Sequence, residues 1–241
     1  MNTYTSLSLQ LMAVVPAAGI GSRMKTDCPK QYFSIRGKTI LEYAVKPLLS
    51  HPCIQQIMIV IHPKDHFFQS TPLARHPKIR VALGGKERAN SVLAGLKYFG
   101  YLNVHSKWIL VHDAVRPCVS DEDIEHLLSI TQHSEVGGIL ATPVRDTIKI
   151  AQADMTISST PERAKLWHAL TPQLFPFGLL KDCLSRALAE KKPVTDEASV
   201  LECYGYHPLL IQGRSDNIKI TYPEDLKLAE FYLNQKHDES P

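Results

Sequence analysis

Short β-prone apolar runs recur along the whole chain, and the stretches between them carry apolar residues at helical spacing. The runs are Leu11–Val15, Ile57–Ile61, Ile79–Leu83, Trp108–Val111, Val136–Ala141, Leu209–Gln212 and Asn217–Ile220. Helical spacing marks Thr39 to Leu49, Arg88 to Phe99, Phe177 to Ala189 and Tyr222 to Leu233. Such alternation predicts an α/β fold with a largely parallel sheet, because parallel neighbours need crossover helices. Ser120 with Asp123 reads as a capping pair for a helix running to about Thr131, and Thr195 with Asp196 and Glu197 as the opening of another. At 241 residues the chain fits one domain, 1–241, with a polar tail from Gln235.

One region breaks the alternation. Between Pro143 and Trp167, β-prone runs around Thr147–Ile150 and Met155–Ser158 flank a polar turn at Ala151–Asp154, which predicts a hairpin. Neither run has a strongly apolar face, and an isolated two-stranded hairpin is marginal in water. A surface hairpin on its own domain fits these residues, and so does an arm that packs on a second copy of the chain across a two-fold axis.

Composition narrows the functions open to such a chain. A balance of 44% apolar and 21% charged residues is that of a soluble globular protein. No apolar run approaches the ~18 residues of a membrane span, and Met1 to Gln10 lacks the basic start and apolar middle of a secretory signal. A cytoplasmic location without membrane partners is the expectation. The formal charge of +3, without clusters of Lys and Arg interleaved with aromatics, argues against a nucleic-acid partner. Five dispersed cysteines lack any Cys-x-x-Cys, so neither a disulfide framework nor a zinc site is indicated. His62 and His66 have i, i+4 spacing, but Lys64 and Asp65 between them replace the Glu of a zincin, and the segment reads as a surface helix starting after Pro63.

Chemistry concentrates where runs end. After Leu11–Val15, Pro16 to Lys30 reads PAAGIGSRMKTDCPK. Ala17, Ala18, Gly19 and Gly21 leave backbone N–H groups open to phosphate oxygens, and Arg23, Lys25 and Lys30 supply charge. The same residues also fit an ordinary βα connection. A dinucleotide fingerprint would need a small residue where Met24 stands, and a Walker loop would need Gly-Lys-Ser/Thr, so NAD, FAD and the usual NTPase engine are disfavoured. A second strand-end loop, Gly84 to Ser91, offers backbone approach at Gly84 and Gly85 and, at Ser91, a hydroxyl that both donates and accepts, as a pyrimidine edge requires. A plain turn with Arg88 and Asn90 solvated fits as well. Asp113 follows the run ending at Val111; a carboxylate there suits magnesium, and Arg116 offers a fork for phosphate, although a structural Asp–Arg pair reads equally from these residues. Lys219 lies in a strand-like segment, where an inward lysine needs an anion and an outward one does not.

Eight stretches, PAAGIGSRM (16–24), CPKQY (28–32), GGKERANSV (84–92), VHDAVRP (111–117), PVRDTIK (143–149), LWHALTPQLF (166–175), TDEAS (195–199) and DNIKIT (216–221), together resemble the 2-C-methyl-D-erythritol 4-phosphate cytidylyltransferase family of non-mevalonate isoprenoid synthesis, in order and in spacing. The resemblance implies a Rossmann-like nucleotidyltransferase fold with a mostly parallel central sheet and a protruding β-arm at about 143–166 that joins a homodimer. It implies reaction of CTP with 2-C-methyl-D-erythritol 4-phosphate to give the CDP-linked product and pyrophosphate, with a divalent cation, Mg2+, as cofactor. With the sequence ending at Pro241, it implies a form without a second catalytic domain.

Residue by residue, the resemblance places Arg23 and Lys30 on the triphosphate and groups them with Lys219 as the catalytic cations. Ala17, Ala18, Gly19, Gly21, Gly84, Gly85 and Ser91 fall on the nucleotide. Asp113 falls on magnesium and on the sugar phosphate, and Arg116, Thr171, Thr195 and Lys219 fall on the substrate side. Thr147 and Arg163 match positions supplied by the neighbouring subunit. Lys86 stands where some relatives are acidic, Ser22 where some carry a second arginine, and Glu162 where aspartate is frequent. Two other readings are a cytidylyltransferase acting on ribitol 5-phosphate and a nucleotide-binding regulator without catalysis.

Overall fold

The computed structural model describes residues 9–19, 28–102 and 106–238. Gly21, Ser22, Arg23, Met24 and Lys25 lie outside the described residues. The chain runs β1 (Leu11–Ala17), β2 (Ser34–Ile35), β3 (Lys38–Thr39), α1 (Ile40–Ser50), β4 (Ile54–Ile61), β5 (Ile79–Leu83), α2 (Arg88–Tyr101) and β6 (Trp108–Val111). It continues through α3 (Asp121–Leu128), β7 (Gly138–Pro143), β8 (Ile150–Ala151), β9 (Ile157–Ser159), β10 (Trp167–Pro176), α4 (Phe177–Ala189), α5 (Glu197–Glu202), β11 (Leu209–Gln212) and α6 (Pro223–Asp238).

A seven-stranded sheet in the order β11-β7-β10-β6-β1-β4-β5 forms the centre. Every neighbouring pair is parallel except those of β10, which runs antiparallel to both β6 and β7. The period of two along β1 decides the layers. Leu11, Ala13 and Val15 pack with Leu41 and Leu48 of α1 and with Ile124 and Leu127 of α3. Met12 and Val14 face the other way, onto Leu96 and Phe99 of α2, Leu180 and Leu184 of α4 and Leu201 of α5. A third cluster joins Ile40 and Tyr43 of α1 to Ala229 and Leu233 of α6 through Val115 and Ile220.

Local chemistry explains where the helices begin. Thr39 and Glu42 form a reciprocal capping box on α1, Ser120 and Asp123 on α3, and Asp196 and Ser199 on α5. The expected helix to Thr131 is α3 followed by a 3-10 turn over Ser129–Gln132.

Four sequence expectations are corrected. Asn217–Ile220 is not a strand: Asn217 O accepts from Arg116 and Ile220 O from Lys30, so side chains occupy carbonyls that a ladder would use. Trp167–Pro176, not anticipated as a strand, is β10; its proline-bearing segment falls at an irregularity between Ala169 and Gln173, which hides the period of two. No α-helix starts after Pro63: Asp65 Oδ1 accepts from Phe67 N and Phe68 N, and only a 3-10 turn at Phe68–Ser70 follows. In the arm, Met155 is a turn residue at φ 67° rather than part of a strand. Ile150 and Ala151 there pair with Ser159 and Ile157, and residues 145–160 are exposed throughout.

Candidate active site

The sheet order itself locates a crevice. From β1 the chain moves outward to β4 and β5, then returns to β6 on the opposite side of β1. In open α/β sheets ligands collect at such a switch point, beyond the carboxyl ends of the strands. There the loops after β1, β5 and β6 converge on two adjoining chambers.

The first chamber, about 210 Å3, is lined by Ala17 at the end of β1, Ala18 and Gly19 after it, Gly85 and Lys86 from the loop after β5, Ser91 in the first turn of α2, and Lys30. Gln31, 3% exposed, donates from Nε2 to Ala17 O at 2.6 Å and Gly19 O at 3.1 Å, fixing the first loop. Ser91 Oγ accepts from Gly85 N and donates to Glu87 O, both at 3.2 Å, so its hydroxyl holds the second loop as well as lining the chamber. Gly84 does not line the chamber. A Cβ there would lie 2.4 Å from Ala18 Cβ and 2.8 Å from Ser91 Oγ, so glycine is what lets the two loops touch.

The second chamber, about 240 Å3, is lined by Arg116, Thr171, Gln173, Thr195 and Asp196. Arg88, Asp113 and Lys219 line both and form the common wall. Asp113, 5% exposed, is surrounded by cations: Arg88 Nε at 2.9 Å from Oδ1, Lys219 Nζ at 2.8 Å and Arg116 Nε at 3.7 Å from Oδ2. Burial by itself favours the neutral acid, yet the Arg88, Lys219 and Arg116 charges hold this carboxyl well below the usual range. Burial also lowers the Arg116 guanidinium, and the nearby Asp113 works against that. Arg116 Nη1 donates to Asn217 O at 2.7 Å, while its buried Nε has no hydrogen-bond partner among the described residues.

Behind the wall, Glu197 accepts from Arg88 Nη1 at 2.7 Å and Nη2 at 3.0 Å. Burial pushes the Glu197 carboxyl up, and the Arg88 charge offsets this. Thr171 Oγ1 accepts from Asp113 N at 3.0 Å and pairs with His112 Nδ1 at 3.0 Å, and His112 Nε2 contacts Arg116 O at 3.2 Å. Since a carbonyl only accepts, Nε2 carries the ring hydrogen and Nδ1 accepts from the threonine hydroxyl. Thr171, expected on the substrate side, thus also braces the Asp113 loop.

The structure brings together Ala17, Ala18, Gly19, Lys30, Gly85, Ser91, Asp113, Arg116, Thr171, Thr195 and Lys219. Arg23 and Gly21 lie outside the described residues. Thr147 and Arg163 sit on the exposed arm and line neither chamber of their own chain; Arg163 Nη1 donates to Arg145 O at 2.7 Å. Sequence reasoning missed Arg88, Glu197, Gln31 and His112. All four stand inside the quoted stretches, but nothing in a sequence says that a carboxylate after one strand and another at the start of α5 meet the same guanidinium.

A mostly parallel sheet with a glycine-loop chamber, a cation-ringed carboxylate and a second polar chamber at its switch point defines an α/β enzyme of the nucleotidyltransferase class. Comparison with known proteins narrows the class. The family model for IspD, 2-C-methyl-D-erythritol 4-phosphate cytidylyltransferase, matches residues 11–235. A 2-C-methyl-D-erythritol 4-phosphate cytidylyltransferase of Serratia proteamaculans is 61% identical over 98% of this chain and 99% of its own, and one of Yersinia pseudotuberculosis is 59% identical over 98% and 97%. A solved 4-diphosphocytidyl-2C-methyl-D-erythritol synthase superposes with TM-score 0.80 at 36% identity over 94% of this chain and 100% of the other. The Francisella tularensis enzyme gives TM-score 0.78 at 35% identity over 92% and 99%. The chain belongs to the 2-C-methyl-D-erythritol 4-phosphate cytidylyltransferase family.

Proposed function

We propose that this chain transfers CMP from CTP to 2-C-methyl-D-erythritol 4-phosphate, releasing pyrophosphate, in isoprenoid precursor synthesis. The observation that carries this reading is the pair of chambers with one shared wall of Arg88, Asp113 and Lys219. A donor nucleotide in the glycine-loop chamber and an acceptor phosphate in the chamber of Arg116 and Thr195 would meet at that wall. An acceptor phosphate oxygen attacks the α-phosphorus, a new P–O bond forms, and the bond from the α-phosphorus to the bridging oxygen breaks as pyrophosphate leaves. Lys30 and Lys219, with Arg23 by resemblance, neutralise the charge that builds there. Catalysis of this kind is positioning and electrostatics, each aimed donor contributing about 10²–10³ in rate.

The described residues do not fit a magnesium ion on Asp113. Both carboxylate oxygens face cations, Arg88 on Oδ1 and Lys219 on Oδ2, and a dication there would meet their repulsion. No group of three or more His, Cys, Asp or Glu side chains able to hold a metal occurs among the described residues. Magnesium would instead enter on the oxygens of the triphosphate, as part of the substrate, and the protein steps above do not run through it.

The arm supports a homodimer. Ile150, Met155 and Ile157 are 49%, 84% and 62% exposed, and residues 145–160 are exposed throughout. A second copy receiving that surface would also receive Thr147 and Arg163. No helix among the described residues is long and apolar enough to cross a membrane; a cytoplasmic site of action follows from the use of CTP.

Purified protein should release pyrophosphate from CTP with methylerythritol phosphate and much more slowly with ribitol 5-phosphate. Preference for ribitol phosphate would replace the substrate, and CTP binding without pyrophosphate release from either polyol would replace catalysis with a regulatory role.

A further inference from the structure

Arg88 is held from behind and reaches forward. Glu197, 1% exposed in the first turn of α5, takes its Nη1 and Nη2 at 2.7 and 3.0 Å, a fork that fixes both the plane and the depth of a guanidinium. Its forward edge, Nε and Nη2, meets Asp113 Oδ1, each at 2.9 Å. The anchor is itself tied to the sheet, since Gln173 of β10 donates to Asp196 Oδ2 at 2.9 Å and accepts from Ala198 N at 3.1 Å. For stability alone, a well-packed apolar pair would often serve this site as well as a buried ion pair. What the ion pair adds is direction.

We infer that Arg88, anchored by Glu197, is a positioning residue that sets the rotation of the Asp113 carboxylate and through it the place of Lys219 on the acceptor side. The inference rests on the transfer reaction proposed above. With Oδ1 taken by Arg88, Oδ2 turns to Lys219 at 2.8 Å and leaves Arg116 Nε at 3.7 Å, without a hydrogen bond among the described residues. Without Arg88, the carboxylate is released to rotate toward that waiting Nε–H, drawing away from Lys219. The ammonium at the junction of the chambers then loses its fixed partner. The hydrogen bonds that hold the nucleotide loops come from Gln31 and Ser91, not from the Arg88 side chain.

The test compares Glu197→Gln, close to isosteric, with Arg88→Lys. Each should lower kcat/KM for the polyol phosphate about 100-fold, the scale of a misplaced reacting group. Glu197→Gln, a change at a residue that lines neither chamber, should leave the Kd for CTP, measured by calorimetry without acceptor, within about threefold. In Arg88→Ala, added guanidinium ion at non-denaturing concentration should restore part of the lost rate, and the Arg88→Ala/Glu197→Ala double variant should show no such rescue. Equal losses in CTP affinity and acceptor kinetics, unchanged acceptor kinetics, or equal rescue without Glu197 would each overturn the inference. Wild-type turnover in the same assay separates the two claims: an inactive wild type refutes the transfer reaction, whereas an active wild type with unaffected variants refutes only the role of Arg88.

Discussion

Lys30 Nζ donates to the carbonyl of Ile220 at 3.0 Å, and Ile220 is the next residue after Lys219, whose own Nζ stands 2.8 Å from Asp113 Oδ2. The loop entering α6 is therefore held at one residue by a lysine that lines the first chamber and presents, one residue earlier, a lysine that lines both. Ile220 N also donates to Val115 O at 2.9 Å, tying the same loop to the segment that carries Asp113 and Arg116.

That tether predicts coupling. Lys30→Ala should lower turnover far more than CTP affinity, because the proposed reaction puts its charge on the developing pyrophosphate. It should also loosen the loop that places Lys219, so the Lys30→Ala/Lys219→Ala double variant should be less impaired than the product of the singles, with a coupling of about 1–2 kcal/mol. Steady-state kinetics of the four proteins measure this. Strictly multiplicative losses would show that the two lysines act independently.

The close approach of the two glycine loops predicts a second effect. A Cβ on Gly84 would lie 2.4 Å from Ala18 Cβ, and neither atom belongs to a side chain that can swing away. Gly84→Ala should cost about 1–3 kcal/mol of stability as an overpacked site and weaken CTP binding by forcing the loops apart. Gly178 in α4 meets nothing within 4 Å, so Gly178→Ala should leave CTP binding alone and be neutral or stabilising by up to about 1 kcal/mol. Denaturant titrations and CTP calorimetry on both variants make the comparison, and a Gly84→Ala protein with wild-type affinity would remove the argument from loop contact.

These contrasts show how far the sequence could be read. The parallel strands were legible because β1, β6 and most of β4 are buried on both faces and bounded by turns, and α4 begins and ends where its periodicity does. β10 was not, since Pro172 and Pro176 read as breakers although the bulge beside Ala169 accommodates one and the strand end the other. Asp113 could be singled out by residue type after a strand end, and Lys219 as a lysine among apolar neighbours. Their partnership with Arg88 and Glu197 could not, because Arg88 and Glu197 are joined across 109 positions by an ion pair that only the folded sheet creates.

The exposed arm predicts shared sites. Arg163→Ala should raise the KM for the polyol phosphate while leaving the sedimentation profile expected of the proposed dimer unchanged, because the apolar surface at Ile150, Met155 and Ile157 remains. Mixed dimers of Arg163→Ala and Lys219→Ala chains would then contain one site free of both substitutions. Activity in the mixture should exceed that of either parent. A mixture no more active than its parents would place Arg163 at its own chain's site.

His112 predicts how stability depends on pH. The ring is fully buried, and burial, reinforced by the Arg116 and Arg88 charges, lowers its pKa from 6.5 to about 4 against the opposing pull of Asp113. Its Nδ1 must stay unprotonated to accept from Thr171, whose oxygen in turn receives Asp113 N–H. In the unfolded chain the imidazole titrates near 6.5, so below that pH the unfolded state binds a proton that the native state refuses. The contribution is present in full above pH 6.5, is lost as pH falls toward 4, and changes no further below that. A shift of this size corresponds to about 3 kcal/mol. His112→Asn, which keeps an acceptor but no titratable ring, should therefore narrow its stability deficit relative to wild type by about 3 kcal/mol between neutral pH and pH 4, read from urea unfolding at several pH values. Asp113 does not confound the comparison, because its carboxyl stays ionised throughout that window in both proteins, held by the same cations. Parallel curves for the two proteins would mean that the buried ring takes up its proton as readily in the fold as in the unfolded chain, and the brace from His112 through Thr171 to Asp113 would then not have the polarity assigned to it.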